Sequence, residues 1–269
     1  GRVKGSGIEF TFDAGVINKS NFKWNLSANF STQHNEVVSL VNGQDITTAY
    51  NVIREGESLR AIYGYIYQGV NAANGNPIYE TYNKDADGNI TETILVQADL
   101  AKQTYYVYNP ENPTDLSTAR PLSATRDRVI LGSALPTWFG GLNNNFKIGN
   151  FDVDMLIRFS GGNKIMNRTR ADLLGMTFNN NSTEILGRWQ SPENPGDGQT
   201  PKLFLNRDAL VNNPDFASTR WVEDGDFVRL QNLSVGYRFS ASTLKSLGLS
   251  SARVYVQGQN LLTITGYSG

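Results

Sequence analysis

The run Phe22–Ser31, FKWNLSANFS, alternates without a break: Phe22, Trp24, Leu26, Ala28 and Phe30 against Lys23, Asn25, Ser27, Asn29 and Ser31. Successive strand side chains point to opposite faces, so this segment carries one continuous apolar face and one continuous polar face. Such a strand separates two solvents. Ten residues reach roughly 33 Å, longer than most strands of soluble sheets and close to a tilted crossing of a bilayer core.

The pattern recurs. In IEFTFDAGVIN, the face Ile8, Phe10, Phe12, Ala14 and Val16 opposes Glu9, Thr11 and Asp13, and the short turn NKSN leads into the strand at Phe22. This predicts a tight hairpin. In WFGGLNNNFKI, the face Trp138, Gly140, Leu142, Asn144, Phe146 and Ile148 opposes Asn143, Asn145 and Lys147. A turn at Gly149-Asn150 then leads to Phe151, Val153, Met155, Ile157 and Phe159 against Asp152, Asp154 and Arg158. A third pair, FVRLQNLSVGYRFS and ARVYVQGQNLLTIT, flanks ASTLKSLGLSS with a less regular register.

Residues 32–136 and 161–225 are rich in Asn, Gly, Pro, Asp and Thr, with turn signals such as NGNP, DADGN and SPENPGDG. They read as long irregular loops, which argue against a compact soluble domain. Short turns at one end and long loops at the other match the construction of outer-membrane barrels. With the turns at Lys19-Ser20 and Gly149-Asn150 on one side, 32–137 must cross an even number of times. Glu57–Val70 alternates imperfectly and is therefore placed in the extracellular region rather than across the membrane.

Composition excludes several classes. With 24 basic and 25 acidic residues, the chain carries no electrostatic footprint for nucleic acid. Cysteine is absent, which removes disulfides and thiolate chemistry. No apolar run is long enough for a transmembrane helix, but a barrel escapes that test because its lipid and lumen residues cancel in any window. The first residue is Gly1 and the last strand-like run ends at TGYSG, so the chain is read as a fragment.

The phrases FKWNLSANFSTQHNEVVSL, REGESLRAIYGYIYQGV, RDRVILGSALPTWFGGLNNNFKIGNFDVDMLIRFSGGNKIMN, GRWQSPENPGDGQTP, DGDFVRLQNLSVGYRF and ARVYVQGQNLLTITGYSG together resemble the C-terminal part of SusC/RagA TonB-dependent outer-membrane transporters of Bacteroidota. The resemblance implies an all-β fold, an antiparallel transmembrane β-barrel of which residues 1–269 are a C-terminal piece. Whole members are 22-stranded, with a plug domain and an N-terminal TonB-contacting region that this sequence lacks. It further implies import of glycan fragments or peptides, driven through the TonB complex and shared with a SusD-like surface lipoprotein acting as a lid.

The residues add little chemistry of their own. His34 is the sole histidine and is read as a solvated strand-end residue rather than a base. Asn83–Ile94 resembles a calcium loop through Asn83, Asp85, Asp87 and Gly88, but Ile94 stands where the bidentate Glu is required. A turn is the preferred reading, calcium the lesser one, and no other cofactor is expected. Glu9, Asp13, Lys23, Asp152, Asp154 and Arg158 belong to the polar face and are expected to line a wet lumen, not to catalyse. Phe22, Trp24, Trp138, Phe151 and Phe159 lie on the apolar face and are expected to meet lipid or form aromatic girdles. Among the loop aromatics, local packing is preferred over sugar stacking; Tyr105, Tyr106, Trp189 and Trp221 are the candidate substrate contacts. The sequence therefore points to part of a nutrient importer in the bacterial outer membrane, not an enzyme, with a soluble glycan-binding β-sandwich as the alternative.

Overall fold

The structure, a computed structural model, describes residues 1–99, 101–176, 180–203, 217–246 and 248–269. In chain order its elements are β1 (Arg2–Asn18), β2 (Phe22–Ser39), β3 (Ile46–Thr47), β4 (Asn51–Ile53), β5 (Ala61–Gly64), β6 (Tyr67–Val70), β7 (Pro77–Lys84), β8 (Ile90–Asp99) and β9 (Thr104–Val107). Helix α1 (Ala124–Asp127) precedes β10 (Val129–Ser133), β11 (Trp138–Ile148), β12 (Phe151–Gly161) and β13 (Lys164–Met166). Then follow α2 (Arg168–Leu173), β14 (Val222–Asp224), β15 (Phe227–Arg238), α3 (Ala241–Lys245) and β16 (Arg253–Thr265).

The three expected hairpins combine into one antiparallel sheet of order β1-β2-β11-β12-β15-β16. No helix among the described residues is long and apolar enough to cross a membrane. The first two hairpin connections are short: Lys19 N–H donates to the Phe22 carbonyl at 2.9 Å, and Gly149 N–H to the Asn21 carbonyl at 2.9 Å. Gly149, at φ +58°, takes the first position of the two-residue loop, a backbone conformation open to glycine at little cost. The long connections gather at the opposite end.

Two features of the strands depart from the sequence reading. The first hairpin is longer, with strands of 17 and 18 residues, so β1 and β2 run on as a ribbon beyond the level where β11 begins opposite Thr32. The irregular register of the third pair has a definite cause. Against β12, Leu230 pairs with Ile157 and Asn232 with Leu156, so Gln231 is an extra residue that shifts β15 by one face. Leu233, Val235 and Tyr237 thereby rejoin the apolar side that Val228 and Leu230 occupy. Within the pair itself Leu230 meets Leu262 and Asn232 meets Gln259, so β16 carries its own extra residue at Asn260–Leu261, with Asn260 at φ +52°.

The long segments are not irregular, which corrects the reading of 32–136 and 161–225; residues 177–179 and 204–216 lie outside the described residues. Short strands form a β10-β5-β4-β3 sheet, a β6-β7-β8-β9 sheet and a β13-β14 pair. Glu57–Val70 contributes β5 and β6 to two of these and does not enter the six-stranded sheet, as its imperfect alternation predicts. The hydrophobic clusters of buried residues also lie in these external units. One is built on Tyr65, Tyr79, Val96, Tyr105 and Leu122, one on Val52, Ala61 and Tyr63, and one on Ala171, Leu174 and Trp221.

Candidate functional site

Register determines what the large sheet can do. One row of directly paired residues reads Phe12, Ala28, Leu142, Ile157, Leu230 and Leu262 across all six strands. The adjacent row, on the other face, reads Asp13, Ser27, Asn143, Leu156, Asn232 and Gln259. Every strand thus turns its apolar side the same way. Among the described residues no second sheet covers that side: Ile8 is 74% and Val256 75% exposed, and Phe10, Val254 and Ile264 are exposed too. Water-facing patches of this extent are not a feature of soluble monomers.

Aromatic side chains gather at both margins of the apolar face. Near the short turns, Trp24 stacks on Phe146 at 5.7 Å, Phe151 meets Tyr237 edge-on at 4.9 Å, and Phe22 pairs with Ile148 in the ladder. Near the long connections, Phe159 lies 6.2 Å from Trp138 and 6.4 Å from Phe30. From Ile148 to Trp138 is about 33 Å along the strand, or about 25 Å in height at a tilt near 40°.

Asn144 interrupts the apolar rows between the aromatic margins. Asn144 is 8% exposed, and its Oδ1 accepts a hydrogen bond from the Trp24 indole N–H at 3.1 Å. Trp24→Phe should cost about 1–2 kcal/mol of stability by leaving that oxygen without its donor. Adding Asn144→Leu should recover most of the loss, which equilibrium unfolding of both variants would measure; equal loss in the two would refute the pairing.

On the polar face, the Asp152 carboxylate accepts from Arg238 Nε at 3.3 Å and from the Arg253 guanidinium, so its partners come from β15 and β16. Glu9 Oε1 accepts from Ser31 Oγ at 3.5 Å. Asp13 pairs with Ser27, Asp154 with Asn145 and Ser234, and Lys23 with Asn18 and Lys147. Arg158 stands between Gly141 and Arg229.

The loop aromatics divide by burial. Tyr105 and Trp221 are 1% and 0% exposed, inside separate clusters, so neither ring presents a face to a ligand in this structure. Trp221 lies under Arg220 at 4.4 Å and Arg170 at 5.6 Å. Tyr106 is half-buried with Lys102 Nζ 5.4 Å from its ring centre. Trp189, also half-buried, donates from its indole N–H to the Ala72 carbonyl at 2.8 Å, and Gly75 packs directly beneath its ring. His34 sits on β2, paired with Ser6.

Asn83–Ile94 forms the β7-β8 hairpin. Asp85 accepts from the backbone N–H groups of Asp87 and Asn89 at 3.0 and 2.8 Å and from the Asn89 amide at 3.0 Å, and these bonds hold its carboxyl below the usual range. Among the described residues no three His, Asp or Glu side chains gather where a metal could sit.

Sequence reasoning missed the polar groups that organise the external sheets. Gln97 Oε1 accepts from the side-chain amides of Asn71 and Asn74, both at 2.8 Å, and of Asn76 at 3.3 Å, while its Nε2 donates to the Pro113 carbonyl at 3.1 Å. Asp127 is fully buried. It accepts from Arg126 Nε at 2.8 Å, Thr81 Oγ1 at 2.9 Å and the N–H groups of Tyr82 and Ser123 at 3.2 and 2.7 Å. Burial alone would raise its pKa; the donors outweigh it and hold the carboxyl below its ordinary value.

No family model matches the sequence. Whole-chain comparison does: the chain is 30% identical over its full length to TonB-dependent receptor P3 of Formosa agariphila, covering 25% of that protein. It is 25% identical over its full length to TonB-dependent receptor SusC of Bacteroides thetaiotaomicron, covering 24% of it. The solved structure of the RagAB peptide transporter superposes on 99% of the chain with a TM-score of 0.75 at 22% identity, over 26% of that transporter chain. The chain is a SusC/RagA-like TonB-dependent transporter segment. It spans about a quarter of the length of the curated relatives it matches. The all-β ladder of this SusC/RagA-like segment has the fold of the matching part of that transporter chain, and the relatives are receptors and transporters by name.

Proposed function

We propose that this segment forms part of the wall of an outer-membrane importer that takes up glycan fragments or peptides in a TonB-dependent manner together with a SusD-like lipoprotein. The observation that carries the reading is the register: six strands turn one continuous apolar face to the same side, and among the described residues no second sheet covers it. Lipid is the solvent that face requires, and its aromatic margins are spaced for a hydrocarbon layer about 25 Å tall. The opposite face, of amides, hydroxyls and charges, then lines the conduit. The external sheets stand at the outer mouth, where they meet substrate and lid. Contact with the TonB complex is assigned to parts of the protein outside these residues.

The β-sandwich alternative needs a second sheet over the apolar rows, and the described residues put none there. Fractionation of cells expressing the full-length protein, with mass spectrometry of what co-purifies in mild detergent, tests the reading. Recovery from the outer membrane with a surface lipoprotein is the expected result. Recovery from the soluble fraction would overturn it.

A further inference from the structure

Directly opposed like charges destabilise a sheet unless something neutralises them. The polar face contains three such pairs. Arg238 faces Arg253, and the two share Asp152. Lys23 faces Lys147, whose other neighbour in the ladder is again Asp152. The third pair is Arg158 of β12 and Arg229 of β15, and among the described residues no acid is a ladder partner of either. Their row reads Thr11, Asn29, Gly141, Arg158, Arg229 and Thr263, and among the described residues neither arginine forms an ion pair.

The acids of the neighbouring rows are distant. Glu9 and Asp13 lie on β1, three strands from β12, or about 14 Å at the usual spacing. Asp154 lies four residues along β12 from Arg158, about 13 Å. Asp226, just before β15, already accepts the Gly162 N–H at 2.8 Å.

Arg229 is also held in place. Its Nε donates to Thr263 Oγ1 at 3.0 Å, and its guanidinium carbon stands 4.9 Å from the centre of the Phe227 ring. Arg229 lines a cavity of about 530 Å³ whose wall includes Ser160, Phe227, Thr263, Thr265 and Tyr267; Arg158, its partner in the ladder, stands outside that lining. A preorganised guanidinium at the edge of a sugar-sized hollow, with a second arginine directly opposite it in the ladder, suits the bidentate recognition of a carboxylate or sulfate.

We propose that Arg158 and Arg229 form an anion subsite on the conduit wall, and that the imported substrate is an acidic oligosaccharide whose carboxylate or sulfate groups engage the pair. This rests on the importer reading and narrows it. The choice of a glycan over a peptide follows from the neighbours: Asn29, Asn143, Asn232 and Thr263 offer the mixed donors and acceptors that sugar hydroxyls match.

The test uses the full-length protein purified from the outer membrane in detergent. Calorimetric titration compares tetragalacturonate, a sulfated tetrasaccharide, a neutral maltotetraose and a Glu-rich tetrapeptide. Either acidic glycan should bind at low salt, the neutral glycan and the peptide weakly or not at all. Arg158→Gln/Arg229→Gln should weaken acidic-glycan binding by at least about tenfold, the effect of losing one charged hydrogen bond, while Arg158→Lys/Arg229→Lys, which keeps the charge but loses the bidentate fork, should fall between that variant and wild type. Heat-modifiable gel mobility verifies that each variant folds. Equal binding by wild type and the Gln variant would overturn the subsite, as would absence of acidic-glycan binding or a preference for the peptide. A protein found in the outer membrane that fails here leaves the importer reading standing; one found in the soluble fraction removes both.

Discussion

Replacing Asp127 by Ala should detach α1 from β7 and destabilise the external sheets by about 3 kcal/mol, the range seen when one member of a buried polar network is removed. The carboxylate is wholly inside, while Arg126 remains 35% exposed, so the ion pair itself contributes only part of this. The larger share comes from the donors left behind. Thr81 Oγ1, the Tyr82 N–H and the Ser123 N–H would all lose their acceptor at a site water does not reach. Hydrogen exchange of the full-length protein should show faster opening across Pro77–Asp99 and Ala124–Ser133, with the six-stranded sheet unchanged. Asp127→Asn, which keeps one acceptor, should fall between wild type and Ala.

The same carboxylate sets a pH dependence. Its folded pKa lies below the ordinary value, so the folded state binds the proton less readily than the unfolded chain. The stabilisation is therefore fully present above about pH 4, the unfolded carboxyl value, and is lost as pH falls through the lower folded value. Protection of β7 should stay flat from neutral pH to about 5 and decline below 4 in wild type, and the Ala variant should lack that decline. Equal protection in the two proteins at neutral pH would show that Asp127 does not hold the sheets.

The wall was legible in the sequence because each hairpin states its own geometry. Alternation at Phe22–Ser31, Trp138–Ile148 and Phe151–Phe159 fixes which side chains share a face, and the Gly149-Asn150 turn fixes how the strands pair. Gln231 escaped because a bulge breaks the period without any residue type that marks it. The external sheets escaped for a different reason. β5 and the first six residues of β7 are buried or half-buried on both faces, so their sequences lose alternation and read as loop. The Asp87-Gly88 turn between two β-rich runs was the available sign of the β7-β8 hairpin. The Thr81–Asp127 and Asn71–Gln97 contacts join residues 46 and 26 positions apart, a separation at which no local pattern reports them.

A charge placed on the apolar rows distinguishes lipid from every other cover. Ile157 lies in the central row, with Leu142 and Leu230 on its flanks and the aromatic margins above and below. If that row sits at the middle of a bilayer, Ile157→Arg should cost about 2–4 kcal/mol, because the guanidinium enters hydrocarbon with no counter-ion. The penalty should depend on depth: Ile148→Arg, beside the short turns at the aromatic margin, should cost about 0–1 kcal/mol, since the side chain can reach the headgroups. Asn143→Arg, on the polar face and opposite Ser27 and Leu156, should shift stability by no more than about 0.5 kcal/mol. Denaturant unfolding of the full-length protein in phospholipid vesicles measures all three. A soluble sheet whose apolar side met a protein core would penalise Ile157 and Ile148 by how closely each is packed, not by height along the strand. A water-exposed face would penalise neither. Only a hydrocarbon layer bounded near Ile148 and Trp138 makes the cost rise toward the centre and fall at both ends, and a flat profile across these positions would remove the membrane wall from this chain.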